Sequence, residues 1–321
     1  MSVQSHLTRA VLRVAAGVLA AAALASCGGG TYQVKTYQPV RIVSFGDESS
    51  LLLPDGSKYS INGVNSTTHV LDCTLSPLWI QRLASSYGMV YPECNPEVVA
   101  APGAHSYATF GATVDDMVVQ LNAFQASDSF TPGDLVTILI GVQDVLAVYS
   151  EANGNDNTAL VLEMRARGLA VAKQVNTIIQ SGAKVVLLTI PDMGDSPFGK
   201  TEADRGDFDR KKLLSDLSDA FNRSMRSNIV NDGSKIGLVL VDDYIHAATK
   251  IPSAYGFTST TTSGCLDTSP LPSCTTDTIV ADANGVALST AYLWADPTHL
   301  GNAAQLFIGN QATSRAHSNP F

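Results

Sequence analysis

The chain has 321 residues, with 29 aspartates and glutamates against 20 lysines and arginines and a formal net charge of -9. Phosphate binding needs a concentrated positive surface, and no large cluster of lysine and arginine stands out, so this composition argues against a nucleic-acid partner. The length is sufficient for one large α/β domain with a substantial core.

The N-terminal residues are predicted to lie outside the fold. Arg9 and Arg13 precede an apolar run over 14–25 that is too short to span a bilayer comfortably. Cys27 stands two residues after the run and is followed by three glycines. This pattern resembles a bacterial lipoprotein signal, in which Cys27 is lipidated and becomes the new N-terminus. An ordinary secretory signal with an incidental cysteine is the alternative.

This interpretation divides the chain into three parts. Residues 1–26 form a lipoprotein signal peptide, residues 27–39 a flexible glycine-rich tether, and residues 40–321 the folded domain. The expected location is the bacterial cell envelope, on its periplasmic or surface side, with the outer membrane favoured. The membrane is expected to be contacted through the lipid anchor only.

Four further cysteines remain in the predicted domain: Cys73, Cys94, Cys265 and Cys274. An even number in an exported chain indicates disulfides rather than metal ligands. Three pairings are possible, and closeness in sequence favours Cys73–Cys94 and Cys265–Cys274. The spacing of Cys265 and Cys274, without a neighbouring histidine, is poor for zinc, so we expect no metal site. The stretch over 255–284, rich in serine, threonine and glycine, is interpreted as an excursion held by the second bridge.

Apolar periodicity predicts the elements of the domain. In chain order these are a strand over 39–45, helices over 77–88 and 114–124, a strand over 135–141, a helix over 159–181, a strand over 184–190, a helix over 207–228, a strand over 236–241 and a final helix over 303–312. Strands that alternate with helices favour an open parallel sheet covered on both faces. Functional residues of such sheets gather at the carboxyl ends of the strands.

An acid three residues before a histidine stands just ahead of the final predicted helix, as Asp296 and His299. Histidine is the side chain whose unperturbed pKa suits a base near neutral pH. A carboxylate beside it fixes the imidazole tautomer and stabilises the imidazolium. The pair therefore indicates a hydrolase.

Four sequence blocks stand in a suggestive order along the chain. They are Phe-Gly-Asp-Glu-Ser-Ser at 45–50, a block at 107–113 that contains Gly111, Ile-Gly-Val-Gln-Asp at 140–144 and Asp-Pro-Thr-His at 296–299. This order resembles the SGNH/GDSL hydrolase family of serine esterases and lipases, over residues 40 to the C-terminus. The resemblance implies a three-layer α/β/α sandwich with a central parallel, flavodoxin-like sheet. It also implies acyl transfer from a small-molecule or lipid ester, without a cofactor.

The resemblance assigns roles to residues of this chain. His299 corresponds to the base, Asp296 to its orienting carboxylate and Gly111 to a backbone donor for the oxyanion. Two blocks depart from the family pattern. Gln143 stands where the family has asparagine, and it keeps the amide donor with one more methylene. Glu48 stands directly after Gly-Asp, where the family has its serine.

The identity of the nucleophile is therefore open. A carboxylate at position 48 suits ester hydrolysis poorly, because attack on the carbonyl forms an anhydride and His299 has no proton to remove. Ser49 takes the serine's place if the following helix begins one residue later, and we favour this hypothesis over Ser50 or over a site without a serine nucleophile. The predicted function is hydrolysis of carboxylic esters through Ser49, His299 and Asp296, with Gly111 and Gln143 facing the oxyanion. A catalytically degenerate lipoprotein that binds a ligand or partner is the alternative.

Overall fold

A computed structural model describes residues 37–154, 156–282 and 285–318. The predicted signal peptide, Cys27 and the tether up to residue 36 lie outside these described residues. None of the described helices combines the length and the apolar character that a membrane crossing requires.

Most of the predicted strands and helices are found in the structure, within a few residues of their expected ends. The strands are β1 (Arg41–Gly46), β2 (Ala104–Ser106), β3 (Asp134–Leu139), β4 (Lys184–Leu188), β5 (Ile236–Val239), β6 (Ser259–Ser263) and β7 (Tyr292–Trp294). The α-helices are α1 (Trp79–Ser86), α2 (Val114–Ser127), α3 (Val142–Ser150), α4 (Thr158–Ile178), α5 (Pro197–Ala203), α6 (Arg210–Asn228), α7 (Val241–Lys250) and α8 (Asn302–His317). Short 3-10 turns occupy Glu48–Ser50, Ile179–Ser181, Met193–Asp195 and Pro252–Tyr255.

The main sheet has five parallel strands in the order β2-β1-β3-β4-β5. This is the flavodoxin-like order, and it reverses direction between β1 and β3. Gly46 at the end of β1 is in register with Leu139 at the end of β3. The segments that follow these two strands therefore leave the sheet side by side, where open α/β sheets place their functional sites.

Helices cover the sheet in two groups. Helix α8 packs on α1 and on strands β4 and β5, whereas α4 packs on α2, α6 and β4, and α2 packs on β1. All six residues of β3 are buried, as the continuous apolar run predicts for a strand covered on both faces. The predicted α/β/α fold with a central parallel sheet is confirmed.

Two disulfides secure the long loops around the sheet. Cys73 is bonded to Cys94 and Cys265 to Cys274, so the pairing favoured by sequence proximity is confirmed. A buried ammonium group, that of Lys58, contacts the segment that begins at Cys73. Lys58 Nζ donates to the carbonyl oxygens of Cys73 at 3.1 Å and of Leu75 and Ser76 at 2.9 Å each. These bonds satisfy the charge that burial would otherwise leave without partners.

Candidate active site

The chain turns sharply where β1 ends. Gly46 has a φ of +143°, and a Cβ at this position would lie 2.0 Å from the carbonyl oxygen of Leu139, so only glycine fits. Asp47 then caps the turn Glu48–Ser50, because its Oδ1 accepts the Ser49 N–H at 2.9 Å. The turn therefore begins at Glu48 and not one residue later.

Three donors converge on the carboxylate of Glu48. Oε2 accepts the Gly111 N–H at 2.8 Å. Oε1 accepts the side-chain amide of Gln143 and lies 2.9 Å from His299 Nε2. The glutamate is 1% exposed, so these contacts replace almost all of its hydration. The two amide donors that were expected to face an oxyanion thus face a carboxylate of the chain itself.

Asp296 and His299 form the local pair that the sequence predicts. Oδ1 of Asp296 accepts the backbone N–H groups of Thr298 at 2.8 Å and His299 at 2.7 Å, which closes the turn. Oδ2 lies 2.8 Å from His299 Nδ1. The imidazole is therefore held between two carboxylates, one on each ring nitrogen.

The charges of this arrangement follow from its geometry. Burial lowers the pKa of His299, but hydrogen bonds and charge from Asp296 and Glu48 outweigh it and raise the pKa to about 10. Burial raises the pKa of Glu48 and of Asp296, and in both the contact with His299 outweighs burial and leaves the pKa below its usual value. At neutral pH the site is therefore an imidazolium between two carboxylate anions.

A third carboxyl group, that of Asp47, lies next to Glu48 in the sequence. Asp47 is 1% exposed, and its Oδ2 has no hydrogen-bond partner among the described residues. Burial first, and then the negative charge of Glu48, raise the pKa of Asp47 to about 7 against the opposing effects of Ser49 and His299. The turn after β1 therefore places two buried carboxyl groups, Asp47 and Glu48, next to each other, and this disfavours the ionisation of Asp47.

Neither Ser49 nor Ser50 forms a hydrogen bond with the imidazole of His299. Ser49 donates its backbone N–H to Asp47, and its side chain also lies close enough to lower the pKa of that carboxyl group. Ser50 is buried, and its Oγ accepts the indole N–H of Trp79 at 3.2 Å. Among the described residues, the hydrogen-bond partner of His299 Nε2 is Glu48. The expected contact between Ser49 and His299 is therefore not formed, because successive residues of a 3-10 turn point about 120° apart.

The position of Gln143 depends on its helix. Gly141 precedes α3 with a φ of +124°, and a Cβ there would lie 2.5 Å from the ring of Phe221. One residue after Gln143, the buried carboxylate of Asp144 accepts the Val114 N–H at 3.0 Å and the Arg167 guanidinium at 2.6 Å. These contacts join the start of α3 to the start of α2, which follows Gly111. The two amide donors are thereby held at fixed positions.

Two aromatic residues that sequence patterns did not single out line the site. The rings of Tyr59 and Phe110 have centroids 4.8 Å apart, and Tyr59 lies 6.0 Å from the imidazole of His299. Phe110 is 63% exposed. Tyr59 belongs to a loop without a motif, so only its tertiary contacts reveal it. Phe110 could be suspected from its place directly before Gly111.

A parallel sheet with a histidine–carboxylate pair and amide donors at its switch point defines a hydrolase-type α/β/α protein. Residues 42–312 match the model of the GDSL-like lipase/acylhydrolase family. The chain belongs to this family, which confirms the resemblance found in its sequence.

Similarity to individual proteins is lower. The phosphatidylcholine-sterol acyltransferase of Aeromonas hydrophila is 28% identical over 173 residues, which cover 50% of this chain and 48% of the relative. The chain thus matches about half the length of this curated relative. The lipase Lip_vut3 from a goat rumen metagenome has 12% identity and a TM-score of 0.48, with 87% of this chain and 99% of that chain covered. The acetylxylan esterase Axe2 of Geobacillus stearothermophilus has 11% identity and a TM-score of 0.44, with 89% and 98% covered.

Proposed function

We propose that this chain is a GDSL-family protein that binds ligands in its cleft without transferring acyl groups to a serine. The observation that carries the proposal is the triple contact of the Glu48 carboxylate with His299, Gly111 and Gln143. Of the two functions considered from the sequence, this geometry favours the catalytically degenerate form over ester hydrolysis through Ser49.

Serine acyl transfer has three requirements, and the resting site meets none of them. The nucleophile must carry a proton that the base removes, but the carboxylate of Glu48 has none. The base must be neutral, whereas a pKa of about 10 keeps His299 protonated at neutral pH. The oxyanion donors must be vacant for the substrate carbonyl, whereas Glu48 occupies both Gly111 and Gln143.

Labelling with a fluorophosphonate probe tests this proposal, because the probe reacts with activated serines. We expect no labelling of the full chain and no turnover of short acyl esters. The variants Ser49→Ala, Ser50→Ala and His299→Ala are run beside it. Labelling that is lost in both Ser49→Ala and His299→Ala would show that Ser49 displaces Glu48 from the imidazole, and the proposal would be wrong.

We also propose that the domain is exported and held at the cell envelope through a lipid on Cys27. Two disulfides support this location, since they form and persist in oxidising compartments. Fractionation of cells that express the full chain tests the anchor. We expect the chain in the membrane fraction and Cys27→Ala in the soluble one, and an unchanged distribution would contradict the lipid attachment.

A further inference from the structure

The carboxylate of Glu48 is poorly suited to attack on a carbonyl carbon, but it is well suited to attack on a saturated carbon. A carboxylate that attacks a carbonyl forms an anhydride, whereas a carboxylate that attacks a saturated carbon forms an ordinary ester. We propose that Glu48 displaces a leaving group from a saturated carbon, as in an alkyl halide or an epoxide, and that His299 and Asp296 then hydrolyse the glutamyl ester. This inference rests on the proposed function in one respect, since both place Glu48 where a serine hydroxyl would act.

The first step forms one bond and breaks one. A lone pair of a Glu48 carboxylate oxygen forms a C–O bond to the substrate carbon, and the bond from that carbon to the leaving group breaks with its electron pair. A halide departs as the anion, while an epoxide oxygen stays attached to the substrate and takes the proton of the His299 imidazolium. The imidazolium of His299 lies 2.9 Å from Oε1, so a proton donor stands next to the attacking carboxylate.

The second step is ester hydrolysis by the parts that the site already holds. Water attacks the carbonyl carbon of the ester while neutral His299 takes its proton, and the tetrahedral oxyanion collapses to release the alcohol, which takes that proton back. The second proton of the water remains on the Glu48 carboxyl group and passes to His299, which restores the resting ion pair. For a halide the sum is R–X and water giving R–OH, a proton and X⁻. Each carboxylate oxygen has its own amide donor, Gly111 for Oε2 and Gln143 for Oε1. Whichever oxygen is alkylated, the remaining carbonyl keeps a donor that can stabilise the oxyanion.

Alkylation also prepares the base. His299 is an imidazolium in the resting site because two carboxylates face its two ring nitrogens. The ester of Glu48 carries no charge, so only Asp296 remains as an anionic partner and His299 releases its proton more readily. The base therefore becomes available after the first step, when it is needed.

The side chains beside the imidazole are compatible with small apolar electrophiles. The side chain of Glu48 is 2% exposed and that of His299 is 14% exposed, so little of either group is open to solvent. The rings of Tyr59 and Phe110 form an apolar wall beside the imidazole. Such a wall favours an alkyl or aryl substituent over a charged one.

Mass spectrometry of the full chain after incubation with benzyl bromide or 1,2-epoxybutane tests the proposal. We expect an adduct on Glu48 that exceeds the adduct on the exposed Glu97 by at least tenfold in His299→Ala, where ester hydrolysis is blocked, and that is absent in Glu48→Gln. Equal modification of the two glutamates in His299→Ala would count against the proposal. Asp296→Asn provides a second variant, in which the adduct should also accumulate.

A measurement on the unmodified chain removes dependence on any variant. During turnover of the same probes in H₂¹⁸O, water attacks the carbonyl carbon, so ¹⁸O should enter the Glu48 carboxylate and be found in its peptide. Product formation without ¹⁸O in that peptide would show that water attacks the substrate directly, and the covalent step would be wrong. If neither product nor ¹⁸O is found and fluorophosphonate also fails to label, this inference fails while the proposed function stands. Labelling of Ser49 would overturn both.

Discussion

Glu48 and His299 are 251 positions apart in the sequence, and Oε1 of the first lies 2.9 Å from Nε2 of the second. The family pattern places a serine hydroxyl at this end of the imidazole. Here the contact is an ion pair, which keeps His299 protonated and at the same time fills the oxyanion donors Gly111 and Gln143. The side chain of Glu48 alone therefore accounts for the expected loss of acyl transfer, and substitutions at this position test that explanation.

Glu48→Ser is expected to create ester hydrolysis. The shorter side chain supplies a hydroxyl near His299 Nε2, releases the donors Gly111 and Gln143 and removes one carboxylate from the imidazole. General base catalysis contributes roughly 100-fold or more, so kcat/KM for short acyl esters should exceed that of Glu48→Ser combined with His299→Ala by about that factor. Fluorophosphonate labelling should appear at position 48.

Two controls separate this chemistry from a simple enlargement of the cleft. Glu48→Ala removes the block without supplying a hydroxyl, and Glu48→Ser combined with His299→Ala supplies the hydroxyl without the base. Activity of Glu48→Ser no higher than that of either control would show that removal of the glutamate does not restore a working relay.

The imidazole of His299 is expected to remain protonated well above neutral pH. Glu48→Gln keeps the size of the side chain and removes its charge, so the pKa of His299 should fall below its value of about 10 in the unmodified chain. Nuclear magnetic resonance of the ring nitrogens during a pH titration measures this change.

The same ion pair makes stability depend on pH. The pKa of His299 is raised from 6.5 to about 10 on folding, so its contribution is complete below 6.5 and is lost as pH rises through about 10. The difference in free energy of unfolding between the unmodified chain and Glu48→Gln should therefore shrink over this interval. A difference that stays constant would mean that the ion pair contributes nothing to stability.

Asp47→Asn is expected to stabilise the fold at neutral and higher pH. The pKa of Asp47 is raised from 3.8 to about 7, so the native state holds this proton longer than the unfolded chain and stability falls as pH rises through that interval. Asparagine keeps an acceptor for the Ser49 N–H and carries no charge. The gain in free energy of unfolding should be about 1–3 kcal/mol above the interval and much smaller below it. Denaturant titrations on both sides measure it, and an equal effect on both sides would exclude the charge as the cause.

Gly141→Ala is expected to be more destabilising than Gly206→Ala. Both glycines have positive φ, +124° and +71°, so both variants carry backbone strain. A Cβ at position 141 would lie 2.5 Å from the buried ring of Phe221, whereas a Cβ at position 206 has nothing within 4 Å. The additional loss should be about 1–3 kcal/mol, the usual cost of overpacking. Equal losses in denaturant titrations would show that Phe221 moves aside freely.

Several features of the fold could be predicted because they are local. The continuous apolar run before Gly141 produced the fully buried strand β3, and the short spacing from Asp296 to His299 produced a pair that one turn closes. Helix α3 was missed, since its sequence follows the strand without a polar break or a capping side chain. Strands β2 and β7 have three residues each, too few to show a period.

The sequence by itself determined that a carboxylate follows Gly-Asp at the end of the first strand and that two serines come after it. It also contains the two amide donors, Gly111 and Gln143, and the histidine–carboxylate pair. Only the tertiary structure decided which of Glu48, Ser49 and Ser50 meets His299, because this depends on where one short turn begins. Asp47 fixes that start by accepting the Ser49 N–H, and a shift of one residue would turn the contacting side chain by about 120°. No local pattern encodes a contact between segments 251 positions apart.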